Sequence, residues 1–402
     1  MRQILSLVTI PLLAQSLNAS FYDEVELRQD YVTVSAKNPN EDIKKTFGKS
    51  SLNYMFSYNN DLISFDFDGE LYNLNQDEPT IQKNVSLAID QDRNYTLRSA
   101  LLGLKITDEI TLYAGVIPFR GGRFASIKNE RNNTGNGIEL LTDQVFEGGF
   151  ISYNKGNFSF QIGHVEFKDK YNYRSLGAKN NGSNGQYFIT KYNNDKHYIE
   201  FNYFKADAYM AGDTDSPFKF ANYDLYGLGY IYDDSKDSGI TYWIEGSYSE
   251  GKEDTDKIAA DNVPAEQLPF LAMAGYKTGM NNSYGGSYKT GIAYSSNYED
   301  IEYKVGVEYY ESMRGSFTMN HGVLFHSNYS YWQHKNANMV TLFTNIRLNR
   351  YTYLYMDYSK SHNPEIPHYF SPTSSNNWNV SNVQNTGYTN HERFNFSISL
   401  RF

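Results

Sequence analysis

Cysteine is absent from the 402 residues, proline is limited to 10 and tryptophan to 3. Without cysteine there is no disulfide framework, and lipid attachment at a new N-terminal cysteine is excluded. Beyond the N-terminus no apolar run approaches the roughly 18 residues of a spanning helix. Mean hydropathy is −0.62. Together these exclude a helical membrane protein. Basic residues are in deficit, 36 Lys and Arg against 46 Asp and Glu, for a net charge of −10. With no basic run either, nucleic acid is not an expected partner. What the chain does hold is 37 Tyr, 25 Phe and 30 Gly. Aromatics at this level argue against disorder and favour strands. The class left is all-β, either soluble or embedded in an outer membrane.

The N-terminus bears on compartment. Arg2 is the only charge before Asp23, and Ile4, Leu5, Leu7, Val8, Ile10, Leu12, Leu13 and Ala14 follow it, with Leu17 and Ala19 at the small-residue positions of a cleavage site. This order reads as a secretory signal peptide over residues 1–19; the alternative is a buried N-terminal helix. Residues 20–402 then form a single domain.

Period-two alternation dominates that domain. Ile63, Phe65, Phe67 and Leu71 share one face, while Asp66, Asp68 and Glu70 share the other. Ile301, Tyr303, Val305, Val307 and Tyr309 likewise oppose Glu302, Lys304 and Glu308. Val340, Leu342, Ile346 and Leu348 oppose Thr341, Asn345 and Arg347. A soluble sandwich and a membrane barrel share this local pattern.

The C-terminus separates them. Phe394, Phe396, Ile398, Leu400 and Phe402 alternate with Arg393, Asn395, Ser397, Ser399 and Arg401, and the sequence stops on Phe402. On a soluble edge strand this apolar row would invite aggregation. The ending resembles the C-terminal assembly signal of Gram-negative outer-membrane β-barrels. Two further features agree. Tyr clusters such as Tyr226, Tyr230 and Tyr232, or Tyr351, Tyr353 and Tyr355, fit the aromatic girdles of such barrels. Short polar turns near 59–61, 107–109, 154–157, 193–196 and 233–238 alternate with long segments near 73–92, 119–145, 169–185, 208–218 and 251–268. The expected fold is a transmembrane antiparallel up-and-down β-barrel. Candidate strands number 18, among them 269–276 and 323–333, with 16 as the alternative.

Site expectations follow from that fold. The segment 119–145 is a long loop whose reversal Gly121 and Gly122 permit, and it carries Arg120, Arg123, Lys128, Glu130, Arg131, Glu139 and Asp143. In position, length and charge it is similar to the porin loop that folds into the barrel and narrows the pore; the alternative is a plain external loop. Expected lumen-facing charges are Asp66, Asp68, Glu70, Glu245, Glu302, Glu308, Lys304, Arg347, Arg393 and Arg401. Acids outnumber bases there, so a mild cation preference is expected.

The resemblance implies a water-filled channel for ions and small hydrophilic solutes. Its implied partners are outer-membrane lipid and lipopolysaccharide, the barrel assembly machinery, and further copies of the chain in a homotrimer. No cofactor is expected. The eight His are scattered, and His321 and His326 lie five apart without supporting ligands, so no metal site is expected. No spacing suggests a catalytic nucleophile and base, so the chain is read as a non-enzyme. The competing function is a surface-binding or adhesion barrel that uses its long loops.

Overall fold

The computed structural model describes residues 20–37, 42–76, 95–129, 135–138, 140–166, 184–209, 221–235, 238–253, 283–313, 319–320, 338–362 and 390–402. The expected signal peptide, residues 1–19, lies outside them. Seventeen strands share one sheet. In chain order they are β1 (Ser20–Lys37), β2 (Asp42–Asn59), β3 (Ile63–Gln76), β4 (Tyr95–Lys105), β5 (Ile110–Arg120), β6 (Thr142–Lys155), β7 (Phe158–Glu166), β8 (Asn184–Asn193), β9 (His197–Tyr209), β10 (Ala221–Asp233), β11 (Gly239–Glu253), β12 (Ser283–Tyr298), β13 (Ile301–Ser312), β14 (Met319–Asn320), β15 (Asn338–Arg347), β16 (Thr352–His362) and β17 (Asn390–Arg401). One helix among the described residues, α1 (Gly122–Asn129), lies between β5 and β6.

Each long strand pairs antiparallel with its sequence neighbours, and β1 pairs with β17 to close the ring. The two-residue β14 stands outside this wall and pairs in parallel with Thr142–Asp143 of β6. The wall is therefore a closed up-and-down barrel of 16 strands. That corrects the count of 18 to its alternative. β11 bonds directly to β12 and β13 directly to β15. No edge is left between them to take 269–276 or 323–333, both of which fall outside the described residues.

Closure removes the exposed edges that an open sheet of this size would present. The join is continuous to the last residue: Phe402 N donates to Val25 O at 2.9 Å, and Val25 N donates to Phe402 O at 3.1 Å. Seven short connections gather at this end of the barrel, the turn end: turns at 60–62, 106–109, 156–157, 194–196, 299–300 and 348–351, and the link between β10 and β11. Their chemistry is local. Asn60, Asn194 and Asn349 each accept two backbone N–H groups two and three residues ahead, at 2.7–3.0 Å. Side-chain capture of this kind tightens a reversal that two strands alone would not fix. Across two of these connections Lys196 Nζ lies 2.8 Å from Asp234 Oδ1. That hydrogen bond holds the lysine above, and the carboxylate below, its ordinary range.

The two faces of the wall differ as the alternation requires. Outward positions are apolar and exposed, among them Leu27, Leu102, Leu228, Ile292, Val305, Leu342 and Ile398. Inward positions are polar or charged and buried, among them Glu26, Arg28, Lys49, Glu70, Lys289, Asp357 and Arg393. Among the described residues, a buried apolar cluster forms where the segment between β5 and β6 turns inward and continues along the wall as far as Tyr355 of β16.

Candidate functional site

Gly121 and Gly122, both at positive φ (74° and 44°), let the chain leave β5 and drop into the barrel, a geometry that L side chains resist. Helix α1 then packs its apolar side chains against one half of the inner wall. Phe124 is fully buried against Gly229 of β10, and Ile138 and Leu141 occupy the space over Gly227. A Cβ at Gly229 would overlap the Phe124 ring, so these glycines are sockets that let the helix lie flat on the sheet. Phe119, Phe146, Tyr187 and Phe204 form an edge-on aromatic cluster where the segment enters and leaves, with centroids 4.8–5.7 Å apart for the Phe119 pairs.

Polar contacts fix both ends of the helix. Arg123 Nη1 donates to Asn193 Oδ1 at 2.5 Å, lies 3.7 Å from Asp233, and stacks over Tyr198 at 5.1 Å. At the other end Lys128 Nζ pairs with Glu308 Oε1 at 3.0 Å. Trp243 Nε1 donates to the second Glu308 oxygen at 2.8 Å, and Lys289, itself paired with Glu245, lies 3.8 Å away. The free carbonyls of the last turn are taken as well. Lys304 Nζ donates to Ile127 O at 3.5 Å, and Asn345 Nδ2 donates to Lys128 O. Carbonyls without intrahelical partners are normal at a helix end, and here the far wall supplies them.

All of these contacts fall on β8 to β15. The rest of the inner wall, β16–β17 and β1–β4, carries ion pairs in series. Arg98 lies 3.7 Å from Asp68 and 2.8 Å from Glu70, and Lys49 lies 2.7 Å from the same Glu70. Arg28 pairs with Asp30 at 2.6 Å, Arg401 with Glu26 at 3.4 Å, and Arg393 with Asp357 at 2.8 Å. Arg98 reaches this network through a register shift: Asp68 opposes Ser99 and Gly69 opposes Leu97, so Arg98 is the extra residue of a β-bulge. Bulges re-aim a side chain in this way.

Of the expected loop residues, Arg123 and Lys128 come together with the wall as described. Arg120 ends β5 and Asp143 is the second residue of β6, with their side chains outside the description; Glu130, Arg131 and Glu139 are not among the described residues. Of the expected wall residues, Glu70, Glu245, Glu308 and Arg393 are buried on the inner side of the wall. Asp66 accepts from Ser57 Oγ, and Glu302 pairs with Arg347 at 3.0 Å near the turn end. Glu26, Arg28, Asp30, Lys49, Arg98, Glu200 and Asp357 belong to the same lining and were not anticipated. For most of them plain alternation was the available signal; for Arg98 it pointed the wrong way. No group of metal-ligating side chains occurs among the described residues.

In fold the chain is similar to the anion-selective porin of Comamonas acidovorans, with a TM-score of 0.51 and 12% identity over 96% of this chain and 100% of that one. It is similar also to a loop-deletion mutant of OmpT, an outer membrane protein of Vibrio cholerae, with a TM-score of 0.50 and 10% identity over 96% and 99%. The fold is that of a porin. No protein-family model and no curated sequence matches the chain.

Proposed function

We propose that the chain is an outer-membrane channel through which ions and small hydrophilic solutes diffuse, with helix α1 narrowing the lumen. The observation that carries this reading is the polar inner wall on which none of the described contacts of helix α1 fall. From β16 round to β4 a barrel with an apolar exterior keeps a continuous row of charged and hydroxyl side chains inside, where a purely structural interior would be apolar. Such a wall suits water and solutes. Selection is by size and electrostatics, and no bond is made or broken.

The mild cation preference drawn from acids outnumbering bases is not retained in this reading. Arg28, Lys49 and Arg98 join the lining and pair with Asp30, Glu70 and Asp68. With these acids and bases held in pairs, the channel discriminates weakly by sign. The apolar band fits lipid of the outer membrane, with lipopolysaccharide around the loop end. Phe394, Ile398, Leu400 and Phe402, exposed, with the half-buried Phe396 between them, present an apolar row that suits recognition by the barrel assembly machinery. A homotrimer is compatible with the lipid-facing wall.

Single-channel recording of the refolded protein in a planar bilayer tests the reading. Stable conductance steps are expected. Barrels that fold and insert yet give no steps would instead favour an adhesion role for the long loops.

A further inference from the structure

At the turn half of this polar wall, β1, β17 and β16 leave a small, partly open notch. Two serines make it: Ser397 and Ser399 stand where their neighbours carry long side chains. Arg28 opposes Ser399 on one side, and Tyr353 and Tyr355 oppose Ser399 and Ser397 on the other. Arg401 lies over the Tyr353 ring at 4.0 Å, and Asn345 completes the lining.

The lining has two guanidinium groups and no carboxylate. Glu26 pairs with Arg401, and Asp30 pairs with Arg28 and also accepts from Ser397 Oγ at the notch's edge, so each carboxylate takes one edge of a guanidinium. Arg28 spends Nε on Asp30 at 2.6 Å and Nη2 on Ser397 at 2.9 Å. Its Nη1 makes no hydrogen bond among the described residues, and neither does the Tyr353 hydroxyl nor the Ser399 hydroxyl. The unused groups are therefore donors, held by side chains that are themselves mostly buried. Donors converging from a fixed guanidinium and from hydroxyls match an oxyanion, since planar guanidinium N–H pairs fit carboxylate and phosphate oxygens.

We propose that this notch is a binding subsite for small oxyanions, carboxylate or phosphate, on the path through the lumen. Arg28 supplies the charge, the Tyr353 and Ser399 hydroxyls supply further donors, and Arg401 braces the Tyr353 ring. The proposal rests on the channel reading for its position on a solute path, but binding itself does not. A pore lined by paired charges with one such subsite passes chloride freely and slows oxyanions that dwell in it.

Two measurements separate the possibilities. In planar bilayers, inorganic phosphate added at millimolar levels from the turn side is expected to interrupt KCl current in the wild type, with acetate acting similarly. Arg28→Gln and the milder Tyr353→Phe are expected to weaken that interruption at least fivefold. Arg393→Gln, elsewhere on the same wall, should retain it. Titration calorimetry of the micelle-held protein with phosphate reads binding without any current. Saturable heat that Tyr353→Phe weakens supports the subsite even if no channel forms. Heat and block that are absent, or unchanged in both Arg28→Gln and Tyr353→Phe, would overturn it while KCl steps still uphold the channel.

Discussion

Lys128 of helix α1 and Glu308 of β13 meet at 3.0 Å with neither side chain exposed. The two are 180 residues apart in sequence, and their contact ties the inward segment to the far wall. Glu308 also holds Trp243 and faces Lys289, so it stays partly compensated when Lys128 is lost. Lys128→Met should cost about 1.5–3 kcal/mol, the scale of one charged hydrogen bond. Urea unfolding in micelles measures it, and channel records should show added current noise from a loosened helix. In the double variant Lys128→Met/Glu308→Gln the cost should be less than the sum of the two single costs, as for residues in one network. Additive costs would mean that the pair does not couple.

The opposite attachment of the helix is steric. Gly229→Ala puts a methyl group where the Phe124 ring now lies, so the helix must lift away from β10 toward the open side. Overpacking of this kind costs about 1–3 kcal/mol, and the unitary conductance should fall. Gly246→Ala is the matched control, because nothing lies within 4 Å of the added Cβ. Equal effects at the two positions would refute the socket.

Paired charges on the polar inner wall make selectivity easy to tip. Arg98→Gln leaves Asp68 and Glu70 with one cation fewer and should shift the reversal potential in a KCl gradient toward potassium. Asp357→Asn leaves Arg393 without its carboxylate and should shift it toward chloride. Shifts of the same sign in both variants would contradict a paired, alternating lining.

The outward face offers a test of the lipid reading. Val305 is 53% exposed on β13, while the adjacent Lys304 points inward to the helix. Val305→Arg should cost about 2–4 kcal/mol if the position sits near the bilayer midplane. Lys304→Ala should barely change folding but should alter selectivity. Refolding yield into lipid vesicles and reversal potentials distinguish them, and equal tolerance would reverse the assignment of faces.

How far the sequence carries this fold depends on which physical rule each residue obeys. Alternation is a local consequence of the pleat, so the inward set on β3, β13 and β15 and the outward set on β17 were readable directly. So in principle were Arg28 and Lys49, which share a parity with buried neighbours. Arg98 was not: strict alternation puts it with Ala100 and Leu102 on the outer face, and a bulge, decided by pairing with β3, turns it in. Strand number erred for a related reason. A strand is defined by its partners, which composition does not supply, and 269–276 lies outside the described residues. The helix was invisible because eight residues are too few to show a stripe, and its docking depends on Gly227 and Gly229, whose role is set by contacts far along the chain. The expectation that 119–145 folds inward rested only on its glycines and its likeness to a porin loop, with a plain external loop as the alternative.

Phe402 joins assembly to structure. Its backbone closes the ring on Val25, while its side chain is 63% exposed and stacks on Tyr351 at 5.9 Å. The backbone bonds do not depend on the ring, so Phe402→Ser should leave the finished barrel and its conductance unchanged. An exposed terminal aromatic at the membrane boundary does affect the route to that barrel, because it anchors the closing strand at the interface while β17 searches for β1. Folding into vesicles, followed by the electrophoretic shift between folded and unfolded forms, should therefore slow severalfold in Phe402→Ser. Tyr351→Ala should slow it less, since it removes the stacking partner and keeps the anchor. An unaltered folding rate together with altered conductance would show that the ring serves the pore and not the closure.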